Sequence, residues 1–123
     1  MSQRKEREAV VSLLYLKGMQ GDFVREEYPE TVLKRVDEIW AKIGDLDKII
    51  AYNLENWTID RLNYVDKAIL RNAVFELLYT ELPYEVVIDE AIEITKKFTN
   101  LDDDLAKAFN NKLLDTIKQY LHK

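Results

Sequence analysis

The chain has 123 residues, 47% hydrophobic and 33% charged, a length and balance that suit one compact soluble domain. It has no cysteine, which excludes a disulfide framework, a thiolate nucleophile and a cysteine metal site, and no apolar run nears the roughly 20 residues that cross a bilayer. The formal net charge of −5 argues against strong unaided binding of a polyanion, which normally shows as an excess of Lys and Arg.

With three Gly and two Pro, the sequence favours long helices. Its charged opening, Met-Ser-Gln-Arg-Lys-Glu-Arg-Glu, leads into no signal-peptide apolar region, and with the lack of cysteine this points to the cytoplasm. A first helix is predicted over Gln3–Lys17, with Val10, Leu13, Leu14 and Lys17 along one face, broken by Gly18 and Gly21. A second lies within Phe23–Ile43 on the stripe Val32, Val36, Ile39 and Ile43, with Pro29 marking its start. Gly44 suits the position just past that helix, and Asp45 a cap for a third over Leu46–Glu55. Asn56-Trp57-Thr58 connects to a fourth helix, capped by Asn63 and running to about Tyr79. This helix is apolar on several sides, from Val65 and Ala68 through Leu70 and Val74 to Leu78, the mark of a central helix.

A fifth helix opens at Pro83, which suits a first helical position; Val87, Ala91, Ile94 and Phe98 form its core face, and Lys96 and Lys97 lie in its last turn. One of Asp102, Asp103 and Asp104 is expected to cap a last helix carrying Leu105, Phe109, Leu113, Ile117 and Tyr120. There is no strand-like alternation of useful length and no internal repeat. The expected fold is all-α, one domain over residues 1–123 made of two packed helical subdomains, 1–56 and 57–123.

Two strings say more than periodicity does. Val65-Asp66-Lys67-Ala68-Ile69-Leu70-Arg71 with Phe75-Glu76-Leu77-Leu78, followed by Pro83-Tyr-Glu-Val-Val-Ile-Asp-Glu-Ala-Ile-Glu-Ile-Thr-Lys-Lys-Phe98, resembles the NusB family of bacterial transcription antitermination factors. The opening Arg7-Glu8-Ala9-Val10-Val11-Ser12-Leu13-Leu14-Tyr15 and the C-terminal Phe109-Asn110-Asn111-Lys112-Leu113-Leu114-Asp115 are similar to further stretches of that family. Between Gly18 and Trp57 there are only compatible helix patterns. The chain departs from the family pattern in diluting Arg4, Lys5 and Arg7 with Glu6 and Glu8, in placing Lys112 where a small residue is usual, and in carrying three Asp at 102–104.

The resemblance implies a factor that binds boxA RNA of nascent ribosomal RNA transcripts jointly with NusE, a basic protein of the small ribosomal subunit, and attaches it to elongating RNA polymerase. Some members self-associate, so a homodimer is among the expectations. The RNA residues implied are Arg4, Lys5, Arg7 and Tyr15 on the first helix and Asn110, Asn111 and Lys112 on the last. Arg4 and Tyr15 stand about three helical turns apart on one stripe, so cations would hold phosphates while a ring stacks on an unpaired base. The plainer reading is a solvated helix start with Tyr15 half-packed.

Asp66, Glu76 and Tyr79 are the implied NusE contacts, an acidic surface meeting a basic partner. Their plainer reading is dipole compensation for Asp66 and ion pairing within the chain for Glu76 and Arg71. Phe109 reads as core, His122 as solvated, and Trp40 and Trp57 as packing. No glycine-rich phosphate loop, EF-hand pattern or nucleophile–base pair is present, so no enzyme, cofactor or metal is expected. Two rivals remain: a helical protein-interaction module with weak or lost RNA binding, and a fragment of an RNA cytosine methyltransferase, since NusB-like domains also occur fused to those enzymes.

Overall fold

The computed structural model describes residues 2–55, 58–99 and 104–122. They form six α-helices: α1 Gln3–Gly18, α2 Glu30–Ala41, α3 Ile43–Asn53, α4 Tyr64–Tyr79, α5 Tyr84–Thr99 and α6 Asp104–Tyr120. Single 3-10 turns at Arg25–Glu27 and Ile59–Arg61 lead into α2 and α4, and there is no strand among the described residues.

α4 is the centre of the fold, in contact with all five other helices. Its buried residues, from Ala68 and Ile69 through Val74 and Phe75 to Leu77, cover most of its circumference and leave one narrow, partly exposed stripe at Tyr64, Lys67, Arg71 and Leu78. Asn63 starts it as expected: its Oδ1 accepts from the Asp66 N–H at 2.7 Å, satisfying one of the donors a helix start leaves open. α1 lies on α4 through Val10, Val11, Leu13 and Leu14, while α5 brings Val87, Ala91 and Ile94, and α6 brings Leu113, Leu114 and Ile117. All six helices feed one continuous core.

The helix ends differ from expectation in two places. α1 runs through Gly18, and the left-handed residue that closes it is Gln20, with φ of 60°. The Gly21 N–H then donates to the Leu16 carbonyl at 2.7 Å, and a Cβ on Gly21 would stand 3.3 Å from that oxygen. The glycine therefore serves close approach, not a special φ. Gly44 does not end α2; it lies inside the first turn of α3. The chain turns two residues earlier, at Lys42 (φ −106°, ψ 8°), in a bridge conformation open to any residue, so no glycine is needed. Asp45 falls in the first turn of α3 and caps nothing, although it still faces the positive end of the helix.

The stripe of α6 holds at Phe109, Leu113 and Ile117 but not at its ends, since Leu105 is 79% and Tyr120 44% exposed. Asn56, Trp57, Asp102 and Asp103 lie outside the described residues, as does the side chain of Asp104, so the expected connection and cap are not located. Among the described residues, no helix is long and apolar enough to cross a membrane, and no group of His, Cys, Asp and Glu is arranged to hold a metal.

Candidate nucleic-acid interface

The N-terminal cations are divided by the fold. Arg7 turns inward. Its guanidinium grips the Glu76 carboxylate of α4 with three hydrogen bonds of 2.8–3.1 Å, and its far nitrogen lies 3.6 Å from Glu90 of α5. The Arg7 side chain is 11% exposed and that of Glu76 3%. Asn72 completes the cluster by donating to Glu76 Oε1 at 3.0 Å. The Glu76 hydrogen bond holds Arg7 even more firmly charged than usual, against the opposing effect of burial.

Expectation had placed Arg7 on RNA and Glu76 on a protein partner. In this structure the two residues neutralise each other inside the protein and clamp α1 to α4. Helical spacing could not reveal this, because the two are 69 residues apart in sequence.

Arg4, one turn earlier, stays outside with its side chain 48% exposed, and pairs with Glu90 at 2.5 Å. Lys5 is exposed and stands 3.7 Å from Glu8, which also accepts from Lys97 of α5 at 2.8 Å. Together these pairs hold Glu8 below the usual carboxylate range, with the Lys97 hydrogen bond as the main cause. Tyr15 is half-buried against the core. Val11 lies between Arg4 and Tyr15 on the same stripe and is 2% exposed, so the stripe passes under neighbouring structure midway.

The C-terminal trio is divided as well. Asn110 is fully buried; its Nδ2 donates to Thr95 Oγ1 at 3.1 Å and to Asp66 Oδ1 at 3.3 Å. Expected to read a base edge, Asn110 here ties α6 to α5 and α4, bonding Asp66, an expected partner contact. Asn110→Ala should destabilise the fold by about 1–3 kcal/mol, because it removes two hydrogen bonds at a buried site between α6, α5 and α4, and denaturant unfolding reads this directly. Asn111 and Lys112 are exposed on different faces of α6. Lys112 borders a cleft against Asn53, Leu54 and Glu55 at the end of α3.

Asn111 and Arg4 do meet. They line one groove of about 630 Å³ between the start of α1, the outer face of α5 and the first turns of α6. Lys96 of α5 and Lys107 of α6 line it too, and so do the acids Asp89 and Glu93. No spacing within one helix could show that Lys96 and Lys107 converge from separate helices. This groove brings three cations and an amide to one place, which suits a phosphate backbone with an adjacent base.

Tyr79, the third expected partner residue, is 46% exposed, with its ring 5.1 Å from Phe75. Lys42 lies 5.4 Å above it and Arg35, itself 3.4 Å from Glu38, lies 5.2 Å above the Phe75 ring. Arg71 pairs within the chain as the plainer reading held, with two 2.8 Å bonds to Asp47.

The profile of the NusB family matches residues 4–119. The chain is 35% identical over 143 aligned positions to the transcription antitermination protein NusB of Natranaerobius thermophilus, covering 100% of this chain and 99% of that one. Over 77 residues it is 53% identical to the protein of that name from Treponema denticola, taking in 62% of this chain and 54% of the other. In three dimensions it is similar to a chain of the crystal structure of antitermination factors NusB and NusE in complex with double-stranded RNA, with a TM-score of 0.79, 26% identity, and 98% and 99% of the two chains covered. Sequence over nearly the whole length and fold agree, and the chain belongs to the NusB family.

Proposed function

We propose that this protein is a transcription antitermination factor of the cytoplasm that binds boxA-type RNA together with NusE and presents it to the elongating RNA polymerase. The observation that carries the RNA part is the groove in which Arg4, Lys96, Lys107 and Asn111 converge from three helices. The action is assembly: cations hold phosphates, the amide meets a base edge, and a basic partner offsets the net charge of −5. Tyr79 and the exposed part of Asp66 are the remaining candidates for the NusE contact, and Lys5, Tyr15 and Lys112 for RNA contacts outside the groove.

A second reading, an interaction module with weakened RNA binding, draws support from Asp89 and Glu93, which line the same groove, and from the internal pairing of Arg7. Titration of single- and double-stranded boxA-like RNA, with and without NusE and across a salt series, separates the two. Weak binding alone and tighter binding with NusE are expected. Lys96→Ala and Lys107→Ala should each lower affinity and reduce the log–log salt slope by about 0.7, the single-strand value per phosphate contact. No binding in either setting would leave the interaction module.

A further inference from the structure

We propose that Glu90 sets the RNA affinity of this protein by competing with phosphate for the Arg4 guanidinium. The proposal rests on reading the α1–α5–α6 groove as the RNA interface. Of the three N-terminal cations, Arg4 is the one that lines that groove, and its guanidinium is already engaged by a carboxylate. Carboxylate and phosphate offer the same paired oxygens to the guanidinium fork, so they compete for one set of donors.

The geometry makes the competition reversible. Glu90 is 17% exposed and braced from behind by Arg7, whereas Arg4 is half exposed. When Arg4 leaves, Glu90 keeps a cationic neighbour and Arg7 keeps its grip on Glu76, so opening the outer pair does not disturb the inner one. Glu93 and Glu8 also bear on Arg4 electrostatically, but their carboxylates bond Lys96 and Lys97 respectively.

The opposite role is that Glu90 aims Arg4 at phosphate, and the two roles predict opposite signs. Glu90→Gln in the full chain, titrated with a single-stranded boxA-like RNA in the presence of NusE, should bind about two- to fivefold more tightly at low salt, the range expected for releasing an exposed ion pair. The log–log salt slope should steepen by up to about 0.7. In an Arg4→Ala background the gain should vanish, which shows that it acts through Arg4 and not through general loss of a negative charge. Glu90→Asp keeps a charge beside Arg7 while withdrawing from Arg4, and should shift affinity in the same direction by less; it serves if Glu90→Gln melts early.

Unchanged or weaker binding by a folded Glu90→Gln overturns the proposal, as does an equal gain in the Arg4→Ala background. Failure of the unaltered protein to bind RNA with and without NusE overturns the RNA reading itself.

Discussion

Arg7→Ala should lower folding stability by about 3–5 kcal/mol, the usual result of removing one member of a buried ion pair. The substitution leaves the Glu76 carboxylate, 3% exposed, facing α1 with only the Asn72 amide as a donor, and it withdraws the cation that braces Glu90. Glu76→Ala should be comparably severe for the reciprocal reason. Arg7→Met combined with Glu76→Leu should recover most of the loss, because paired apolar side chains strand no charge. Equilibrium denaturation of the three variants checks this. The double variant also tests whether Arg7 is purely internal: its RNA salt slope should match that of the unaltered protein, whereas a phosphate contact at Arg7 would remove about 0.7.

Leu70→Ala should cost about 2–5 kcal/mol, the range for emptying a buried leucine site, with a fall in melting temperature on the order of 10 °C. Leu70 is fully buried on α4, the helix that touches every other, so the cavity cannot be filled by a local shift of one neighbour. A loss below about half a kcal/mol would remove α4 from the centre of the fold. Leu105→Ala serves as the contrast: it lies on an apolar helical repeat but is 79% exposed, and it should be close to neutral.

Helices α1, α2, α4 and α5 were legible because each obeys local rules. Their apolar residues recur at helical spacing, Asn63 and Pro83 mark starts, and the all-round apolarity of α4 announces a central position. The α2–α3 junction was misread because the bridge conformation at Lys42 has no compositional signature, while Gly44 carries a strong one that the fold does not use. The family was legible in two consecutive strings of residues, well before any spatial relation among them was known.

Which charges face outward was settled by tertiary packing. Arg4 and Arg7 sit one turn apart on the same helix, yet the 69-residue contact with Glu76 draws Arg7 inside and leaves Arg4 at the groove. Asn110 and Asn111 are adjacent, and one helical step buries the first against Thr95 and Asp66 while exposing the second beside Lys107. A sequence by itself determines the local periodicity, the helix starts and the family. The partition of polar residues between an internal network and a binding surface depends on how α1, α5 and α6 are rotated about α4, because a rotation of about 100° per residue decides whether a side chain meets another helix or water.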